Sequence, residues 1–176
     1  MKWVLSIISF LTSITLYAQD YNETLDAISE AEAKAALSQI IHQANLNTGN
    51  YDLKYHRLEW NGDPSVNFIS GNITSYFEAT SNMVDITFDL ASNMTVSEVT
   101  QNGNQLTFTH SEDDELIITL PQVQVAGVLD SLTVTYSGSP ISTGFDSFEV
   151  TTRDGDPIMW TLSEPYGAKA WWPCKQ

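Results

Sequence analysis

A period of two dominates this sequence from residue 51 onward, and a chain that alternates apolar and polar residues for so long has few folds open to it. Tyr51, Leu53 and Tyr55 alternate with Asp52, Lys54 and His56, and the run continues to Trp60 before N-G-D-P, a turn built on Gly62 and Pro64. Ile69, Gly71, Ile73, Ser75, Phe77 and Ala79 take one face of a long second strand. Val84, Ile86, Phe88 and Leu90 alternate with Asp85, Thr87 and Asp89. Residues 94–100 and 105–109 flank Asn102-Gly103, a strong hairpin signal because both residues accept positive φ. Leu116, Ile118 and Leu120 form a strand that Pro121 should end; Leu132, Val134 and Tyr136 form another, ended by S-G-S-P. Phe148 and Val150 lead to a second hairpin turn at Asp154-Gly155, followed by Ile158, Trp160 and Leu162. Roughly eight or nine strands at about ten-residue spacing predict an all-β fold, an antiparallel β-sandwich, rather than βαβ units. The polar half of each strand predicts sheets with one face in water.

The first fifty residues obey other rules. Lys2, the apolar run over residues 3–16 and the small-residue approach at Ala18 have the parts of a secretory signal peptide, cut before Gln19. That run is too short for a comfortable membrane span, so the mature chain is expected to be exported, to the periplasm, the cell surface or the medium, with no span after cleavage. Residues 24–42 read as a helix, with Leu25, Ile28, Leu37, Ile40 and Ile41 near helical spacing, a possible capping box at Ser29 and Glu32, and His42 in its last turn. The expected layout is therefore a signal peptide over residues 1–18, a helical extension over 19–50 and one β-sandwich domain over 51–176.

Charge removes several function classes. The 22 acidic and 7 basic residues leave a net charge of -15, which argues against binding a nucleic-acid backbone or an anionic membrane. The acids are scattered, the densest cluster being Glu112, Asp113, Asp114 and Glu115, as on a solvated surface. Such a field weakly favours cationic ligands such as a protonated amine.

Motifs for catalysis are missing from the sequence. His42, His56 and His110 fall on a helix end, a strand and a hairpin, without the spacing that gathers three or four zinc ligands, so no metal site is expected in this chain. There is no G-x-S-x-G elbow, P-loop or dinucleotide fingerprint, and no catalytic residue is assigned. Cys174, the one cysteine, follows Pro173 and two tryptophans and reads as a buried thiol, with a partner beyond Gln176 as the other possibility. Asn22, Asn72 and Asn93 each begin an N-x-T pattern that matches glycosylation acceptors.

The density of unusual residues is highest over residues 160–176, W-T-L-S-E-P-Y-G-A-K-A-W-W-P-C-K-Q, which hold three of the five tryptophans. Glu164 stands before Pro165, which biases it to an extended conformation where a strand yields to a loop, with Trp171 and Trp172 expected to return nearby. This stretch, with the β-rich pattern before it, resembles the aminopeptidase N family of zinc metallopeptidases, gluzincins that carry G-x-M-E-N and H-E-x-x-H motifs. In that family an N-terminal β-sandwich, the saddle, closes with a segment like T-Q-F-E-P-x-x-A-R-x-x-F-P-C-F-D. Thr161, Glu164, Pro165, Ala168, Pro173 and Cys174 fall on that spacing without a gap. Lys169 replaces the usual Arg, Trp172 the aromatic before P-C, Leu162 the Gln, and Lys175-Gln176 the Phe-Asp. More loosely, Y-D-L-K-Y-H-R-L-E-W and I-S-G-N-I-T look like the family's opening strands.

The resemblance implies that Glu164 binds substrate, accepting hydrogen bonds from the α-ammonium of a peptide N-terminus. It implies no cofactor in this chain and zinc in a catalytic domain that should follow Gln176, so the chain is expected to be a truncated product, inactive alone, of a zinc aminopeptidase. Its expected partners are peptide N-termini and that domain. Glu164 could instead cap a loop or pair with Lys169. Trp171 and Trp172 are expected to fill the seam to the catalytic domain, leaving an exposed apolar patch and a sticky or oligomeric product. The alternative function is a carbohydrate-binding or adhesive β-sandwich whose tryptophans form a stacking platform.

Overall fold

The structure is a computed structural model that describes residues 25, 26, 28–30, 32–34, 36, 37, 45–143, 146–164 and 166–176. The expected signal peptide, the sequon at Asn22 and His42 lie outside the described residues. Ten strands are described: β1 (Tyr51–Gly62), β2 (Ile69–Ala79), β3 (Met83–Asp89), β4 (Thr95–Gln101), β5 (Asn104–Gln105), β6 (Phe108–His110), β7 (Glu115–Gln124), β8 (Leu129–Gly138), β9 (Glu149–Arg153) and β10 (Asp156–Trp160). They form a five-stranded sheet ordered β1-β2-β8-β4-β5, a three-stranded sheet ordered β3-β7-β6 and a β9-β10 hairpin, with every pairing antiparallel. This is the all-β sandwich that the alternation predicts.

The core lies between the two larger sheets. Ile73, Phe77, Leu132, Val134 and Val99 from the first meet Ile86, Phe88, Leu116 and Ile118 from the second, all buried. In β2 the inward face runs as predicted through residues 69, 71, 73, 75, 77 and 79. Both hairpin signals also hold. Asn102 and Gly103 have φ of 51° and 78°, and Asp154 and Gly155 have φ of 54° and 91°, the left-handed pair that a tight turn between twisted strands requires.

Elsewhere the simple period fails, each time for a local reason. The β1–β2 register slips between Leu53 and Tyr55, so Lys54 is an extra residue and the phase of β1 inverts. Tyr55, which plain alternation puts beside Leu53, is 61% exposed, and His56 turns inward opposite buried Ser75. Pro121 does not end its strand; β7 continues to Gln124, and the β3–β7 register shifts between Met83 and Asp85, so the proline sits where the ladder asks for no N–H. The single strand expected over 105–109 is divided. Buried Leu106 donates its N–H to Val99 at 2.8 Å, and beyond it the chain leaves the large sheet so that Phe108 pairs with Ile118 in the small one. In β3 the polar face meets solvent only at Asp85, since Thr87 and Asp89 are buried.

Before the sandwich, the described residues among 25–37 are helical, with Lys34 and Glu30 paired at 3.2 Å. Ser29 lies among helical residues that begin by Leu25, so it does not cap the start of that helix as its spacing with Glu32 suggests. A 3-10 turn, Leu46–Thr48, then brings the chain to β1; Asn45 caps it by accepting from Asn47 N–H at 2.9 Å.

Candidate functional site: the closing stretch

After β10 the chain turns back along the free edge of β3. Ala91 N–H donates to Lys169 O at 2.8 Å, Asp89 N–H to Cys174 O at 2.8 Å, and Cys174 N–H to Asp89 O at 3.0 Å. The side chains reinforce this seam. The buried Asp89 carboxylate accepts from Gln176 N–H and from Asn45 Nδ2, both at 3.0 Å, which ties the entry and the closing stretch to one residue. Lys175 Nζ donates to Tyr51 O at 2.6 Å and lies 4.5 Å from the Tyr51 ring centroid. The Cys174 thiol is buried, and burial pushes its pKa well up, so it is the inert thiol that its neighbours suggest.

This placement corrects the expected role of Trp171. It does not wait at a seam for another domain; it is 8% exposed and belongs to the sandwich's own core. Its ring lies 4.7 Å from Trp60, 5.8 Å from Phe148 and 6.1 Å from Trp172 by centroid. The reason is geometric. Beyond its bulge, β1 is met by Trp171, whose ring packs on Trp60, and by Met159 of β10, which lies against Gly62. Trp172 is half-buried and its ring stands nearly perpendicular to that of His56, with 4.8 Å between centroids. His56 Nδ1 bonds Ser75 Oγ at 2.9 Å, its buried Nε2 has no hydrogen-bond partner among the described residues, and burial pushes its pKa down to about 4. A buried Trp171 also leaves less aromatic surface for a sugar-stacking platform.

Glu164 is exposed, on the turn between β10 and the 3-10 turn Ala168–Ala170. Lys169, the cation nearest to it in sequence, is committed to Asp114 at 3.0 Å. Burial raises the Asp114 pKa, but the Ser92 N–H and Lys169 outweigh burial and hold it below the usual carboxylate range. The turn carrying Glu164 is held from both sides. Gly167 N–H closes it on Ser163 O at 2.8 Å, and Trp171 Nε1 donates to Ser163 Oγ at 2.8 Å. Gly167 is packed so tightly that a Cβ there would lie 2.6 Å from Ser147 Cβ. Tyr166 has φ of 60°; the other non-glycine residues with positive φ among those described are Asn or Asp, which tolerate that region far better. Next to this turn, Trp60, Phe148, Met159, Trp160, Thr161 and Trp171 line an apolar cleft of about 240 Å³.

The structure therefore brings Trp171 back to the Glu164 turn, as the sequence suggests, but leaves His56 and His110 in separate surroundings. His110 Nε2 bonds Leu90 O at 2.9 Å, away from the His56 contacts. Among the described residues, no three His, Cys, Asp or Glu side chains gather as a metal ion would require. The donors described here do not form a set that fits zinc. Ser163, Gly167 and Tyr136 carry no motif that singles them out in the sequence; the spacing of Glu-Pro from Trp171 is the one signal pointing at their neighbourhood.

No family model matches the chain, and no curated protein matches it in sequence. Among solved structures, a two-domain M1 zinc metallopeptidase variant bound to L-arginine matches with a TM-score of 0.62 and 24% identity, over 72% of this chain and 29% of its own. The M1 zinc metallopeptidase from Deinococcus radiodurans gives 0.61 at 23% identity over the same shares. Native leukotriene A4 hydrolase from Saccharomyces cerevisiae gives 0.59 at 17% identity, over 73% of this chain and 22% of its own. The chain thus spans less than a third of the solved proteins it matches. It carries the fold that M1 zinc metallopeptidases have as their N-terminal domain.

Proposed function

We propose that this chain is the substrate-anchoring N-terminal domain of an exported zinc aminopeptidase, and that Glu164 receives the free α-ammonium of the peptide being shortened. The observation that carries this reading is an exposed carboxylate on a turn clamped at Ser163 and Gly167, within a fold shared with M1 zinc metallopeptidases. Solved relatives are bound to L-arginine and to a Tyr-Ser-Ala substrate, ligands that carry an α-amine. A carboxylate on a rigid turn suits such a group, because charge-assisted hydrogen bonds are short and their strength depends on direction. Its task is binding and orientation; Glu164 holds the amine while the scissile bond reacts elsewhere.

The zinc, the general base and the oxyanion donors belong, in this reading, to the part of the protein that the matched structures have beyond this domain. Export rests on the run from Lys2 to Ala18. Purified full-length protein should contain about one zinc per chain, release single N-terminal residues from peptides, lose that activity to a chelator, and begin at Gln19. Endopeptidase cleavage, or equal activity on peptides with blocked amines, would sink the anchoring role.

A further inference from the structure

The clamp on the Glu164 turn is one end of a longer hydrogen-bonded chain through the core. Trp60 Nε1 on β1 donates to Tyr136 Oη at 3.0 Å, and Tyr136 Oη on β8 donates to Trp171 O at 2.8 Å. The indole of the same Trp171 donates through Nε1 to Ser163 Oγ, immediately before Glu164, and Ser163 Oγ reaches Ser147 O at 3.4 Å. Trp171 is thus fixed at its backbone by one sheet and passes that constraint to the turn through its ring. Burial makes the arrangement directional. Tyr136 is buried, and burial raises its pKa, so it remains a neutral hydroxyl that donates onward. An indole N–H can only donate, so Ser163 Oγ must accept and its own proton is free for Ser147.

From this we infer that Ser163 and Trp171 are positioning residues for Glu164: the Trp171 Nε1 to Ser163 Oγ bond sets where the carboxylate stands, and so how well it meets a substrate amine. The inference rests on the anchoring role proposed above. Neither residue need touch substrate. Three further features of the turn agree with an imposed conformation: the Gly167 N–H bond to Ser163 O, the close approach of Gly167 to Ser147, and the positive φ of Tyr166.

The test compares Ser163→Ala, Ser163→Thr, Trp171→Phe and Glu164→Ala in the full-length protein acting on a free-amine peptide. Ser163→Ala should raise KM about fivefold with little change in kcat, the size expected for losing one orienting hydrogen bond. Trp171→Phe keeps an aromatic ring but removes the donor, and should act in the same direction. Ser163→Thr keeps the hydroxyl and should restore KM to near wild type. Thermal melts accompany each variant, and if Trp171→Phe does not fold the Ser163 pair still decides. Should Glu164→Ala raise KM while Ser163→Ala leaves it unchanged, positioning is wrong and anchoring stands. Should Glu164→Ala itself leave KM and kcat unchanged, anchoring fails and positioning falls with it. A Ser163→Ala effect confined to the melting temperature also overturns the inference, because it would make the bond structural alone.

Discussion

Single residues in the closing stretch make opposite demands on their surroundings, which allows sharp predictions. Gly167 has no room for a methyl group, so Gly167→Ala should destabilise the domain by about 1–3 kcal/mol in urea unfolding, through overpacking against Ser147. Trp171→Ala removes a ring packed on three aromatics and should cost roughly 3–5 kcal/mol. A cost under about 1 kcal/mol would return Trp171 to the surface role that its sequence context first suggests. His56 supplies a pH dependence whose sign is fixed. Folding lowers its pKa from 6.5 to about 4, so between those values the unfolded chain binds a proton that the folded chain refuses. Its contribution is full above pH 6.5 and is lost as pH falls toward 4. The urea midpoint of wild type should therefore drop more over that window than the midpoint of His56→Gln.

At the scale of elements, β1 separates what the sequence reveals from what it hides. The alternation of Tyr51, Leu53 and Tyr55 identifies a strand, but only the pairing with β2 shows that Lys54 is an extra residue. Tyr51→Ala should thus cost about 3–5 kcal/mol, and Tyr55→Ala about 1 kcal/mol, mainly its contact with Tyr76 at 5.7 Å. Equal costs would mean that the bulge does not form. Most of the strands, their antiparallel character and both hairpins were legible because each rests on local period and turn chemistry. Bulges, the passage of Pro121 through β7 and the crossing at Leu106 were not, since they depend on what the partner strand presents. Glu164 could be singled out from Glu-Pro and its spacing to Pro-Cys; the clamp formed by Ser163, Trp171 and Tyr136 could not, because its members are 8 and 35 positions apart.

At the scale of the whole molecule, the closing stretch is both a structural element and the carrier of the candidate site. It extends the β3 edge, covers the inner face of β1 and presents Glu164 outward, so the stability of the sandwich and the geometry of the site share Trp171. Trp60 and Trp160 remain partly exposed around the apolar cleft, a smaller patch than one with Trp171 uncovered. The central claim concerns the charge on Glu164, and the most direct measurement is kcat/KM of full-length Glu164→Gln on a free-amine peptide. The amide keeps the size of the side chain but removes the carboxylate. Losing a charge-assisted hydrogen bond predicts a fall of roughly 10- to 100-fold, with wild-type folding retained. A kcat/KM equal to wild type would contradict the assignment of Glu164 as the anchor for the substrate amine.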